Sequence, residues 1–154
     1  MIRKASAEDV NSLAEIFRQL HEHHVEIAPD SHRMPFPQYF ELEMRSILEN
    51  EDMQVILCER DGAVAGYAVF NIFERDRAER TFARILYIEQ FAVHSDMRHK
   101  GCGTELFEHL KTLAREEECD CIQLGAVAQN HSALSFYKKQ GMLPRTIRLE
   151  LKLT

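Results

Sequence analysis

The segment at residues 87–118, YIEQFAVHSDMRHKGCGTELFEHLKTLAREEE, constrains the fold more than any other part of the chain. A β-rich run gives way to the basic cluster Arg98, His99 and Lys100, two glycines follow one residue apart, and a helical pattern begins at once. Leu106, Phe107, Leu110, Leu113 and Ala114 share one stripe of that helix. A strand that runs through glycines into a helix is an anion site by construction. The first helical N–H groups have no intrahelical acceptor, and the helix dipole favours negative charge there. Gly101 and Gly103 let that backbone approach a ligand without Cβ clashes, so the expected ligand is a phosphate or pyrophosphate. Two well-known phosphate loops do not fit: no third glycine stands at the dinucleotide position, and no G-x-x-x-x-G-K-[S/T] occurs. On its own the G-x-G pair reads equally well as a turn that only starts a helix.

The flanking sequence predicts a mixed α/β chain. Residues 2–5 read as a short edge strand. Ser6 followed by Asp9 resembles a capping box, and Val10, Leu13, Ala14, Phe17 and Leu20 predict a first helix from about Ala7 to His24. Three prolines in EIAPDSHRMPFP end that pattern, and a second helix resumes near Gln38 with Phe40, Met44, Ile47 and Leu48 on one face. Two β-rich runs flank Asp61-Gly62, a dipeptide that accepts the positive φ of a tight hairpin turn. RTFARILYIEQFAV is the next strand, CIQLGAV a buried-looking one, SALSFYKKQ a short helix ended by Gly141, and RTIRLELKL alternates as a last strand. The order β-α-α-β-β-β-α-β-α-β predicts one domain over residues 1–154 built on one mixed α/β sheet, without repeats or linkers.

Composition narrows the function. Hydrophobic residues are 45% and charged residues 29%, as in ordinary globular proteins, and no apolar run is long enough for a membrane span. The formal charge of −6 opposes long-range attraction to nucleic acid or anionic membrane and suits a cationic substrate. The start, MIRKASAEDV, has no apolar export signal, and Cys58, Cys102, Cys119 and Cys121 lack paired C-x-x-C spacing. They read as free thiols in a reducing, cytoplasmic compartment.

Arg98-x-x-Gly101-x-Gly103 after a strand, together with Asn130, Ala133, Phe136 and Tyr137 in AQNHSALSFYKKQGM, resembles the GNAT superfamily of acetyl-CoA-dependent N-acetyltransferases. The resemblance implies a mostly antiparallel sheet with splayed strands, flanked by helices. It implies that the backbone of Arg98, His99, Lys100, Gly101, Cys102, Gly103 and Thr104 holds the coenzyme A pyrophosphate. It also implies that Phe91, Ala92 and Val93 pair with the pantetheine arm, and that Asn130 binds the pantetheine amide or adjacent backbone; Asn130 reads equally as a helix cap. The reaction implied is direct attack of a neutral amine on the thioester through a tetrahedral stage, which needs removal of an ammonium proton. Glu89 matches a position where family members carry a general base, and it reads equally as a solvated strand residue or a binder of a cationic substrate. Gln90 and His94 are lesser candidates. Tyr137 matches a tyrosine that donates to the departing sulfur, and otherwise reads as a core aromatic.

The YIEQFAV and SFYKKQGM segments are similar to those of the diamine and polyamine acetyltransferase branch, so the expected acceptor is a small cationic amine; the family resemblance, whose members are commonly dimers, together with a last alternating strand able to pair across an interface, implies a homodimer. A non-catalytic acyl-CoA-binding module and a protein or peptide N-acetyltransferase are the alternatives. His21 and His24 share a helical face, but no acidic or cysteine partner stands at ligand spacing, and no metal is expected. Cys102 is not needed as a nucleophile, because direct transfer requires no enzyme thiol.

Overall fold

The computed structural model describes all residues, Met1–Thr154. One sheet organises it, with the strands in sequence order: β1 Ile2–Lys4, β2 Gln54–Arg60, β3 Ala63–Glu74, β4 Arg84–Val93 and β5 Cys121–Leu124. The first four pair antiparallel and β4 pairs β5 in parallel, so the sheet is mixed and mostly antiparallel, as expected. Asp61 and Gly62 make the β2–β3 turn, both at positive φ (51° and 77°), the geometry that matches the twist of the strands they join.

Four helices complete the fold: α1 Val10–Ile27, α2 Tyr39–Glu49, α3 Cys102–Glu116 and α4 His131–Lys139. Leu13, Ile16 and Met44 from α1 and α2 pack on Leu57, Tyr67 and Val69, while Leu106, Phe107 and Leu110 from α3 pack on Ile56, Ala68 and Phe70. Alternate residues of β3 thus enter opposite cores. That is why Ala65–Phe70 is a continuous buried run.

Three differences from the sequence reading have physical causes. Helix α1 lies about one turn later than expected, because Ala7–Asp9 forms a tight 3₁₀ turn. The Asp9 carboxylate accepts from the Ser6 N–H at 2.7 Å and from both Arg3 terminal nitrogens at 2.9 and 2.8 Å, which fixes that turn. Strand β4 starts at Arg84 rather than near Arg80, where the Asp120 carboxylate accepts from the N–H groups of Ala83 and Arg84 at 2.9 and 2.8 Å. The expected last strand at residues 145–153 is not a strand at all. It is an exposed arm without ladder bonds, because alternation assigns side chains to faces but does not supply a pairing partner.

The sheet opens at one place. Strand β5 pairs β4 from Ile85↔Cys121 to Ile88↔Leu124, and β4 then continues through Glu89–Val93 with only β3 beside it. The two parallel strands therefore splay at the end of β4 that leads to the glycine loop.

Candidate active site

Strand β4 delivers the first part of the site. Its pairing with β3 steps from Val69↔Gln90 to Phe70↔Ile88, so Glu89 is the extra residue of a β-bulge. The bulge turns Glu89 outward, where it is exposed at the splay. Gln90 instead accepts a hydrogen bond from the Tyr67 hydroxyl at 2.7 Å, and Tyr67 is fully buried. That bond commits the Gln90 side chain to holding the sheet. Beyond the bulge, Phe91, Ala92 and Val93 lie opposite Ala68, Tyr67 and Gly66 and have no strand on their other edge. The backbone groups of Phe91 and Val93 face this open edge, where an extended ligand can pair as an added strand would, and the Val93 carbonyl accepts there from Arg98 Nε at 3.4 Å.

The loop after β4 is built as a cradle. His94 ends the strand, its ring 3.2 Å from the Gln19 side-chain nitrogen and 3.2 Å from the Asp96 N–H, while Gln19 also accepts from the Ser95 N–H at 2.9 Å. Helix α1 thus clamps the entry to the loop, and His94 works as a tie between elements. His99 and Gly101 both sit at positive φ, 63° and 85°, the alternation by which a turn gathers successive N–H groups into an anion-binding concavity. Gly101 is the N-cap of α3, so the N–H groups of Cys102, Gly103 and Thr104 face out of the helix start without intrahelical acceptors. Arg98, His99, Lys100 and Gly101 are exposed.

The two loop glycines serve different ends. A Cβ on Gly101 would meet nothing within 4 Å, so its backbone conformation is what favours glycine. A Cβ on Gly103 would lie 3.5 Å from the Phe136 ring and 3.7 Å from Val93, which places Gly103 at the seam between α3, α4 and β4. A third glycine, Gly66, matters as much and was not singled out by the sequence reading. A Cβ there would come within 2.8 Å of the Ala92 carbonyl and 2.9 Å of the Cys102 sulfur. Gly66 therefore lets the start of α3 rest directly on the sheet. Its signal was a glycine inside the strand run AVAGYAVF.

Cys102 points inward at 1% exposure, and its thiol is pushed up to about 12, first by burial and then by Cys58. A thiol so placed stays protonated at neutral pH, and Cys102 presents its backbone to the loop. Asn130 caps α4: its side-chain oxygen accepts from the Ala133 N–H at 3.2 Å and the Ser132 hydroxyl at 3.1 Å, and lies 3.4 Å from His23 Nε2. The last contact joins the end of α1 to the start of α4. Tyr137 packs on Phe91 and Phe136 with ring centroids 6.2 and 5.5 Å apart, and burial pushes its hydroxyl up to about 12. The structure therefore brings Phe91, Gly103 and Tyr137 together around one aromatic cluster, with the loop at its edge.

Two further features lie on the α1 and α2 side of the sheet. Asn71, opposite Tyr87, follows Tyr67 and Val69 on the side of β3 that faces α1 and α2, and its side-chain oxygen is buried without a hydrogen-bond partner. His21 and His24 of α1 approach His32 with ring centroids 6.0 and 5.5 Å apart. Burial, helped by His32, His21 and His23, pushes His24 down to about 4, so that ring is neutral at physiological pH.

Known proteins share this arrangement. A model of the acetyltransferase (GNAT) family matches residues 17–142. A Bacillus subtilis relative named as a ribosomal protein bS18-alanine N-acetyltransferase is 30% identical over 102 residues, 66% of this chain and 62% of the relative. An amino-acid acetyltransferase of Azotobacter vinelandii is 31% identical over 74% of this chain and 22% of its own length. This chain thus spans less than two thirds of either relative. The crystal structure of a mutant protein from Bacillus halodurans superposes with a TM-score of 0.91 over 100% of this chain and 99% of that one, at 24% identity.

Proposed function

The chain belongs to the acetyltransferase (GNAT) family, and we propose that it transfers acetyl from acetyl-CoA to a primary amine of a small cationic acceptor. One observation carries the reading: the free edge of β4 beyond Ile88 runs straight into a positive-φ loop and the N-terminus of α3. The donor set fits coenzyme A, since an extended amide arm needs strand-like backbone partners and a pyrophosphate needs convergent N–H groups. When bound, acetyl-CoA supplies an acetyl group activated as a thioester.

The chain's residues divide the remaining work. The backbone of Arg98 to Thr104 holds the pyrophosphate, with Arg98, His99 and Lys100 adding local positive potential on an acidic chain. Phe91, Ala92 and Val93 hold the arm, and a backbone N–H there steadies developing negative charge. Glu89, turned outward by the bulge, takes the ammonium proton directly or through a water. Tyr137, protonated at neutral pH, donates to the departing sulfur. Asn130 fixes the start of α4 and offers its amide nitrogen to the arm, while the unpaired oxygen of Asn71 accepts from the incoming amine. Residues 1–154 act as one catalytic domain in the reducing setting that four free cysteines favour.

Thiol release from acetyl-CoA, measured against polyamines, amino acids, aminoglycosides and alanine-initiated peptides, tests this reading. Release with polyamines is expected. Release with peptides alone favours the second reading, acetylation of a protein α-amine, which the name of the Bacillus subtilis relative supports. Acetyl-CoA binding with no release across the panel leaves a non-catalytic module, and absence of acetyl-CoA binding removes the site assignment.

A further inference from the structure

Helix α1 carries a row of polar side chains, Glu15, Gln19 and His23, each about one turn from the next. Gln19 Oε1 accepts from the Ser95 N–H at 2.9 Å, so its amide nitrogen is the other end, 3.1 Å from Glu15 Oε1 and 3.2 Å from His94 Nε2. Those bonds fix which way the Gln19 amide is turned. Glu15 is held in its turn, because Arg18 donates to its two oxygens at 2.7 and 2.9 Å, and that pairing keeps the Glu15 carboxyl below its ordinary value. The grip thus passes from Arg18 through Glu15 and Gln19 to Ser95. Ser95 opens the 3₁₀ turn Ser95–Met97, which leads straight into Arg98 and the glycine loop.

One turn further along, His23 reaches the start of α4. Asn130 turns its side-chain oxygen to the Ala133 N–H at 3.2 Å, a donor that only an oxygen can satisfy, and the same oxygen takes the Ser132 hydroxyl at 3.1 Å and His23 Nε2 at 3.4 Å. His23 must therefore carry its proton on Nε2. With three contacts on the oxygen, the Asn130 amide nitrogen is left without a hydrogen-bond partner in the chain. Gln19 and His23 stand ~6 Å apart along one rigid helix. A single element thereby ties down both the loop after β4 and the cap of α4.

We propose that Gln19 and His23 are positioning residues for the acetyl donor, Gln19 holding the pyrophosphate loop and His23 turning the Asn130 amide nitrogen toward the pantetheine arm. The inference rests on the donor site proposed above. Neither side chain acts on the bond that breaks. Each works through a group that holds the donor, so its loss falls on donor affinity and leaves the chemical step alone. The two also divide the donor between them. Gln19 serves the half that carries the pyrophosphate, through Ser95 and the loop, and His23 serves the amide half, through Asn130.

Calorimetry on the full chain tests this without any acceptor. Gln19→Met and His23→Leu should each weaken acetyl-CoA binding about 2- to 10-fold, the size of one lost hydrogen bond, with the melting temperature unchanged. Competition against acetyl-CoA by its two halves separates the roles. His23→Leu should weaken S-acetylpantetheine and spare adenosine diphosphate, and Gln19→Met should do the reverse. His23→Gln, whose amide can donate in place of the imidazole, should bind every probe as wild type does. A helix that is merely loosened would weaken both halves alike in both variants and melt earlier, and that result would overturn the proposal, as would a His23→Gln variant no better than His23→Leu. Variants that bind acetyl-CoA as tightly as wild type overturn this inference alone, whereas a wild type that does not bind acetyl-CoA overturns the donor site and the inference together.

Discussion

At Glu89 the bulge meets the chemistry proposed for the site. An ordinary strand residue at that register would project into one of the two cores, whereas the extra residue of a bulge is turned to the exposed mouth of the splay. Glu89→Gln should lower kcat by about 10²-fold at neutral pH, the low end for a general base because water can take over part of the role. The deficit should shrink as pH rises toward the amine's own pKa, near ~10 for an alkylammonium, since an already neutral amine needs no base. A deficit that stays constant with pH would assign Glu89 to substrate binding instead. Tyr137 gives a separate readout. Its hydroxyl, raised to about 12 by burial, stays protonated across an assay range of pH 6–9 and can donate throughout. Tyr137→Phe keeps the ring packed on Phe91 and Phe136, so it should lower kcat by about tenfold with acetyl-CoA affinity and thermal stability unchanged. A fall in affinity equal to the fall in kcat would make the residue a wall and not a donor.

At the scale of elements, the site depends on how closely α3 approaches the sheet, and Gly66 sets that distance. Gly66→Val would drive Cβ into the Ala92 carbonyl and the Cys102 sulfur and lift the start of α3 off β4. Overpacking of this kind costs about 1–3 kcal/mol, and the variant should lose acetyl-CoA affinity in calorimetry as well as melting earlier. Gly66 was legible as a glycine in a strand, but not as a contact with Cys102, since residues so far apart in sequence meet only through the β3–β4 register. The loop glycines, the Asp61-Gly62 turn and the alternating or helical faces were readable because each is a local rule of backbone conformation or period. The bulge at Glu89 and the unpaired arm were not, because pairing belongs to two segments at once. The first turn of α1 shows the same limit: the capping pair was visible, but the Arg3 grip on Asp9 came from β1. That grip, followed by the Ser6 bonds, holds the Asp9 carboxyl below its ordinary value. A lowered carboxyl stabilises the fold above its unfolded pKa near ~4 and loses that contribution as pH falls through the folded value. Wild type should therefore lose stability to denaturant below about pH 4 more steeply than Asp9→Ala, which starts about 1–2 kcal/mol lower at pH 7. Parallel pH curves for the two proteins would remove the pair from the acid response.

The whole molecule carries two opposed fields. The chain has 25 acidic residues against 19 basic, while Arg98, His99 and Lys100 stand together at the loop proposed for a pyrophosphate. An acidic body attracts a polycationic acceptor at long range, and the local basic cluster keeps the anionic donor from being repelled. Screening separates the two from contact specificity, because the Debye length falls from ~30 Å at ~0.01 M salt to ~10 Å at ~0.1 M. Raising salt across that range and on to ~0.5 M should increase KM for a tetra-amine several-fold, and KM for a monoamine of equal length much less. KM for acetyl-CoA should also rise, whereas kcat at saturation should change little, since a bound substrate no longer depends on attraction at a distance. Steady-state kinetics with two acceptors matched in length and different in charge reads all three trends. Equal salt dependence for the two amines would mean that the acidic balance of the chain has no part in choosing the acceptor, and that choice would then rest on contacts near Glu89 and Asn71 alone.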